Sequence, residues 1–339
     1  MIGYSGIARG PRDRDMQQLT LKVRDLQQLT SEIKKFEFVA TDENDLPVFT
    51  AGSHIDFYLE NGLVRSYSLA NDPQETHRYI TAILREFDGG GGSAFMHDNV
   101  AVGDQLSITE PVNNFKLAED AKEHILLGGG IGITPLLAMG YKLKADGKAC
   151  HLHYCTKSSQ ETAFAKETKE VFGDNLNFYH DGGDPTKGIN LKETFSNQPE
   201  GAHVYICGPT GLLKAARSAT SHWMAGSVHF EVFQSIKTEK ENAANPAAVG
   251  VDQPFDVELA ASGKTLTIPV DKSILQVLWE NDVEVLHACE EGWCGNCVVN
   301  YLSGGVDHRD EVLDDTERES KMQVCVSRAL PGEKLILDL

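Results

Sequence analysis

The chain has 339 residues, enough for two or three domains of ordinary size, with 41% hydrophobic and 24% charged residues. Its formal net charge of −19 argues against nucleic acid or an anionic membrane as a partner. The opening "MIGYSGIARGPRDRDMQQ" contains no secretory apolar region, and the most apolar stretch, "HILLGGGIGITPLLAMGYKL", is broken by glycines and a proline. A soluble, cytoplasmic protein is therefore expected. Seven cysteines is an odd count that does not suit a disulfide-rich secreted domain.

The first segment, residues 1–116, reads as all-β. Short alternating runs ("TLKVRDLQQL", "IKKFEFVAT", "SHIDFYLE", "RSYSLA", "RYITAILRE", "DQLSITEP") are separated by turn residues at Gly52, Asn61-Gly62, Asn71-Asp72-Pro73 and Gly103-Asp104. That rhythm predicts a small antiparallel barrel.

In residues 117–235 strands alternate with helices, which predicts a parallel α/β sheet. "EHILLGGG" is a buried strand running into a glycine loop. "TPLLAMGYKLKADG" follows as a helix, with Thr134 expected as N-cap, Pro135 at the first helical position and Gly147 past the end. "CHLHYCT", "LNFYHDG" and "HVYICGP" are further strands; "ETAFAKETKEVFG" and "TGLLKAARSATSHWMA" are helices. Residues 236–253 are polar and without periodicity, as in a linker.

Residues 254–339 open with a hairpin, "FDVELAASGKTLTIPV", turning at Ser262-Gly263. The helix "DKSILQVLWEND" has Ser273 and Gln276 spaced as a capping box. From Val251 onward there are 18 acidic and 7 basic residues, a net of −11, so more than half of the excess charge lies in the last quarter.

That quarter also holds "HACEEGWCGNCVV", in which Cys289, Cys294 and Cys297 follow C-x4-C-x2-C, with Cys325 further on in "KMQVCVSRAL". This is the ligand spacing of plant-type [2Fe–2S] ferredoxins. Gly292 and Gly295 allow the loop to fold tightly and bring N–H groups toward the sulfurs. A zinc site would more naturally use two C-x2-C knuckles, and this chain has one. The pair His151 and His153 with Cys155 share a strand face and invite a metal reading, but a covered strand with those groups packed or hydrogen-bonded is the expectation.

"GGGIGITP", Gly128 to Pro135, lies between strand and helix, where N–H groups can receive a pyrophosphate. The spacing G-x-G-x-x-G is not met, so a tight structural turn stays open as the alternative. "CGP", Cys207-Gly208-Pro209, ends a later strand at the same edge of the sheet, where such folds bind ligands. In "RSYSLAND", Arg65 suits a phosphate, Tyr67 a planar ring and Ser68 a ring nitrogen. "DGGGGS" would be a second phosphate cradle. Taken singly, each has a plainer reading: a carboxylate partner for Arg65, a core position for Tyr67, a flexible loop for the glycines.

Together, "RSYSL", "GGGGS", "GGGIGITP", "CGP", "HFEVF" and "CEEGWCGNC…C" occur in the order found in the phthalate dioxygenase reductase family, which the chain resembles over nearly its whole length. The resemblance implies three domains. These are an antiparallel β-barrel flavin domain, an α/β parallel-sheet NAD-binding domain and an α+β β-grasp ferredoxin domain. It implies FMN held by Arg65, Ser66, Tyr67, Ser68, Leu69, Gly91, Gly92 and Ser93, with Phe233 covering the ring system and Glu231 nearby. NADH would be received by Gly130, Gly132, Thr134, Thr156, Cys207, Gly208 and Pro209. Ser68, Cys207 and Glu231 would act at the site of electron transfer, and Cys289, Cys294, Cys297 and Cys325 would ligate the cluster. Two departures stand out: Gly90, where relatives often carry Arg and bind FMN more firmly, and Trp293 inside the cluster loop.

The resemblance also implies a role. Nicotinamide gives two electrons, a [2Fe–2S] centre accepts one at a time, and a flavin adapts one to the other. The expected function is a monomeric, NADH-dependent reductase for a Rieske-type terminal oxygenase, steered by the acidic stretch "DHRDEVLDDTERE". Lys157 raises NADPH as an alternative donor. The rival functions are a stand-alone flavin or acceptor reductase and a redox-sensing module.

Overall fold

A computed structural model describes residues 18–42, 44–87, 90–224, 226–233, 252–285, 292, 295–310 and 312–339. They fall into two compact units, divided within the stretch read as a linker. Most of that stretch, residues 236–251, lies outside the described residues.

The first unit begins with six antiparallel strands: β1 (Leu19–Gln28), β2 (Ile33–Ala40), β3 (His54–Tyr58), β4 (Val64–Ser68), β5 (Tyr79–Leu84) and, after helix α1 (Gly92–Asn99), β6 (Gln105–Ile108). They run β4-β3-β6-β1-β2-β5. The two outer strands meet, because the Ala70 N–H donates to the Ile80 carbonyl at 2.8 Å and the Thr81 hydroxyl to the Ser68 carbonyl at 2.9 Å. The barrel thus closes. The alternation read from sequence turns Leu21, Val23, Phe36, Phe38, Ile55 and Phe57 inward, where all are fully buried.

The same unit continues with β7 (Glu123–Gly129), α2 (Ile133–Ala145), β8 (Ala149–Thr156), α3 (Ala165–Phe172), β9 (Leu176–His180), α4 (Leu191–Thr194), β10 (Ala202–Cys207), α5 (Thr210–Ala219) and β11 (Val228–Glu231). The five strands are parallel in the order β11-β10-β7-β8-β9. Strand β7 sits in the middle, so the chain reverses direction across the sheet between β7 and β10, and a ligand crevice opens at their carboxyl ends. Barrel and sheet share one core: Ile33, Ala70, Ile80 and Ala82 pack with Ile133, Leu136 and Leu137 of α2.

Two helix starts differ from the reading above. Helix α2 begins at Ile133, reached through a 3-10 turn at Gly130–Gly132, so Thr134 lies inside the first turn and its hydroxyl donates back to the Ile131 carbonyl at 3.2 Å. Helix α3 begins at Ala165, because the buried Phe164 takes φ 54° and interrupts the helical path. Gly147 follows the end of α2 with φ 64°, as read.

The second unit contains β12 (Phe255–Leu259), β13 (Thr265–Ile268), α6 (Ile274–Glu280), β14 (Val298–Ser303), β15 (Val306–Asp307), β16 (Lys321–Gln323), β17 (Arg328–Ala329) and β18 (Leu335–Leu337). The main sheet runs β13-β12-β18-β14-β16, with β12 and β18 parallel and the other pairs antiparallel. Helix α6 covers it through Ile274, Leu275 and Leu278 in a β-grasp arrangement. The hairpin turns through Gly263 at φ 67°, and both bonds of the Ser273/Gln276 capping box form. Among the described residues no helix is long and apolar enough to cross a membrane.

Candidate functional site

The three groups of site residues occupy three places. At the first, Arg65 projects from β4 against the start of α1. Its Nη1 donates to the Val64 carbonyl at 2.8 Å and its Nη2 to the Gly90 carbonyl at 2.9 Å. A Cβ on Gly92 would lie 2.5 Å from the Arg65 Nε, so only glycine lets the guanidinium lie along the helix entry. Gly91, with φ 79°, stands at the N-cap of helix α1, which has neither a side-chain cap nor an acidic residue in its first turn. Its N–H groups and the guanidinium together suit a phosphate. Ser93 is buried, and its hydroxyl accepts from the Glu86 N–H at 3.1 Å. Asp88 and Gly89 of the glycine run lie outside the described residues.

Along β4 the alternation separates the remaining candidates. Ser66 is exposed and its hydroxyl donates to the Asp56 carboxylate across the β3–β4 ladder. Tyr67 points inward, its ring 5.7 Å from that of Phe57. Its hydroxyl is buried with no hydrogen-bond partner among the described residues, and burial raises its pKa against the opposing charge of Arg65. An orphaned buried hydroxyl here fits a planar heterocycle that carries its own polar atoms. Ser68 and Leu69 are buried at the end of the strand. Ser68 is tied through Thr81 to β5, which itself packs on the turn Gly130–Gly132, so the barrel site and the crevice adjoin.

The second place is that crevice. Two loops, 128–132 and 207–209, lie backbone against backbone. A Cβ on Gly132 would be 2.2 Å from the Cys207 carbonyl oxygen, and one on Gly208 would be 3.0 Å from the Gly129 Cα. Gly130 differs: it has φ 52° and open space around it, while the Tyr154 hydroxyl holds its carbonyl at 3.0 Å. Helices α2 and α5 both start here without a side-chain cap, α5 after Pro209. The two helix starts converge, which fits a pyrophosphate. The Thr156 hydroxyl is already engaged, with Thr162 Oγ1 and His180 Nδ1 both at 2.9 Å. It pins the end of β8.

Cys207 and Glu231 stand opposite each other in the β10–β11 ladder. Burial, and secondarily the neighbouring Glu231, push the Cys207 thiol well up. Burial raises the Glu231 carboxyl to about 8. Burial thus disfavours the charged form of both groups. Phe233, just past β11, is 37% exposed, a free apolar face next to this edge.

The third place is in the second unit. Cys297 and Cys325 are buried, and the Val324 N–H donates to the Cys297 carbonyl at 3.2 Å. Gly292 and Gly295 have φ 79° and 81°, as the tight loop requires. Two buried cysteines beside such a loop fit thiolate ligation of iron. Cys289, Cys294 and Trp293 lie outside the described residues. Sequence reading missed Gln323, fully buried between Gly292 and Cys297. Its polarity in an otherwise apolar run two residues before Cys325 was the available signal.

The other metal candidate resolves differently. His151 pairs with Asn177 at 2.6 Å and His153 with the Tyr179 hydroxyl at 3.0 Å, both on the neighbouring strand. Burial lowers His153 to about 4.

Fold and sites together define an iron–sulfur flavoprotein oxidoreductase. Three family models match in tandem. They are an oxidoreductase FAD-binding domain over residues 20–117, an oxidoreductase NAD-binding domain over 126–218 and a 2Fe-2S iron-sulfur cluster binding domain over 257–330. The chain is 42% identical to the tert-butanol monooxygenase / tert-amyl alcohol desaturase reductase subunit of Aquincola tertiaricarbonis, covering 95% of this chain and 96% of that one. It is 40% identical to phthalate dioxygenase reductase of Burkholderia cepacia, over 95% and 97% of the two chains. The solved structure of a phthalate dioxygenase reductase superposes with a TM-score of 0.64 at 38% identity, covering 97% of this chain and all of that one. The chain belongs to the phthalate dioxygenase reductase family, the reductase components of oxygenase systems.

Proposed function

We propose that this reductase carries electrons from NADH through FMN and a [2Fe–2S] cluster to a Rieske-type terminal oxygenase, as a cytoplasmic monomer. The observation that carries the reading is the buried thiol pair Cys297 and Cys325, in a domain following a flavin-type barrel and a dinucleotide-type sheet in one chain. End-to-end likeness to phthalate dioxygenase reductase supports FMN and the Rieske partner. Domain boundaries near residues 116, 235 and 253 accompany it.

A bound flavin would supply the conversion of a nicotinamide electron pair into single electrons. The chain's own residues do the rest. Arg65 and the start of α1 hold the flavin phosphate, with Gly91, Gly92 and Ser93 keeping the approach open. Tyr67, Ser68 and Leu69 border the ring system, and Phe233 excludes water from its exposed side. Gly130, Gly132 and Gly208 admit the pyrophosphate, and Thr134, Thr156 and Pro209 fix the loops that receive it. Cys207 and Glu231 line the nicotinamide position. Cys297 and Cys325, with Cys289 and Cys294, ligate the cluster. Lys157, directly after β8, adds a cation near the ribose end, yet the whole-length likeness favours NADH.

The test is an anaerobic NADH titration of the purified protein followed by visible spectroscopy, with chromatography of the released flavin. Bleaching of both flavin and cluster absorption, with FMN released, is expected. Flavin bleaching without any cluster absorption would overturn the proposed electron path.

A further inference from the structure

Gln323 is the last residue of β16 and is fully buried, facing Val298 in the β14–β16 ladder and so lying beside Cys297. Its own carbonyl accepts from the Val326 N–H at 3.4 Å and the Ser327 N–H at 3.0 Å, forming the turn that carries Cys325. The side-chain amide bridges the two other parts of the site. Nε2 donates to the Gly292 carbonyl at 3.3 Å, and Oε1 accepts from the Cys297 thiol at 3.5 Å. Gly292 is itself held close, since a Cβ there would lie 2.7 Å from Val326 Cγ2.

Among the described residues the acceptor Oε1 is satisfied by the Cys297 thiol, a bond that needs the thiol's proton. Iron binds the thiolate, so the proton leaves to solvent on loading and the sulfur becomes an acceptor alone. Oε1 would then face it, acceptor to acceptor. The terminal torsion of glutamine is broad and two-fold, and a half-turn exchanges oxygen for nitrogen. An N–H bond to a charged acceptor is about twice as strong as a neutral one, which outweighs both the surrendered Gly292 bond and the Oε1 then set against the neutral Gly292 carbonyl. We propose that Gln323 is a positioning residue of the cluster. Its amide turns over when the cluster is present and donates Nε2–H to the Cys297 sulfur, making the cluster easier to reduce. This rests on the iron–sulfur reading of the cysteines.

The experiment is an EPR-monitored redox titration of the full-length holoprotein as wild type and as Gln323→Met. A tenfold lower equilibrium constant for one-electron reduction is expected in the variant, a potential about 59 mV more negative. In wild type with 15N confined to glutamine side-chain amides, pulsed EPR of the reduced cluster should show a 15N coupling. An unchanged potential at full cluster content in Gln323→Met, or no such coupling in wild type, overturns the proposal. If Gln323→Met does not take up the cluster, the wild-type coupling alone decides. Wild type with flavin and no cluster signal would remove the iron–sulfur reading first, a different result from an unchanged potential.

Discussion

Gly132 leaves no room for a side chain beneath Cys207: a Cβ there would lie 2.2 Å from the Cys207 carbonyl oxygen and 2.7 Å from the Gly208 nitrogen. The obstacle is backbone on both counts, so it cannot swing aside. Gly132→Ala should cost about 1–3 kcal/mol, as overpacking does. It should also raise KM for NADH several-fold with flavin content unchanged. Gly211, in α5, has nothing within 4 Å of its would-be Cβ. Gly211→Ala should raise stability by about 0.4–1 kcal/mol by restricting the unfolded chain. Thermal melts and steady-state rates with a one-electron dye check both; equal behaviour of the two variants would refute the loop-packing account.

Arg65 ties the Val64 and Gly90 carbonyls and lies along the α1 entry. Charge-assisted bonds contribute about 1.5–3 kcal/mol each, so Arg65→Ala should weaken flavin retention at least tenfold. Arg65→Lys should recover only part of it, because an ammonium lacks the planar fork. Flavin-to-protein ratio after gel filtration reads the effect, and wild-type retention in Arg65→Ala would place the phosphate elsewhere.

Burial raises Glu231 from its ordinary 4.5 to about 8. Between those values the folded state holds a proton that the unfolded state releases. Stability from this group is therefore fully present below pH 4.5 and is lost as pH rises to about 8. Glu231→Gln should remove that slope. Denaturant unfolding at several pH values measures it, and parallel pH profiles for the two proteins would count against a buried neutral carboxyl.

His229 behaves in the opposite sense. Its ring stacks on Tyr205 at 4.5 Å and its Nε2 meets the His203 Nδ1 at 2.9 Å. Burial, then His203, lower it from 6.5 to about 4. The unfolded chain binds the proton first, so stability falls as pH drops from about 6.5 to 4 and is flat above. His229→Phe keeps the stacking surface and should flatten the acid limb of the melting profile. Retention of the full limb would assign it to other groups.

The acidic stretch needs a more selective test than wholesale neutralisation. Asp314 and Glu317 cap each other: Asp314 Oδ1 accepts from the Glu317 N–H at 2.8 Å, and the Asp314 N–H reaches Glu317 Oε2 at 3.4 Å. Asp315 and Glu319 are exposed. The double variant Asp315→Asn/Glu319→Gln should slow reduction of the partner oxygenase at low salt and converge with wild type at high salt, with dye reduction unchanged. Stopped-flow rates across ionic strength decide it.

Local rules made much of this protein legible from its residues alone. Strand alternation placed the barrel, strand–helix alternation placed the parallel sheet, and Ser273 with Gln276 marked a helix start. Ser262-Gly263 marked a turn, and cysteine spacing marked the third site. Each of these signals is contained within a few residues, where backbone geometry and side-chain period act directly. The tertiary structure decided the rest, because its causes lie far apart in the chain. Gly132 is constrained by Cys207 and Gly208, α2 starts before Thr134 through a turn shaped at the crevice, and Phe164 leaves the helical path where it enters the core shared with the barrel. His153 is satisfied by Tyr179 on the next strand, and Gln323 matters because folding sets it between Gly292 and Cys297. A residue's neighbours in the sequence set its local geometry, but its chemistry here depends on atoms that only the folded sheets bring within reach.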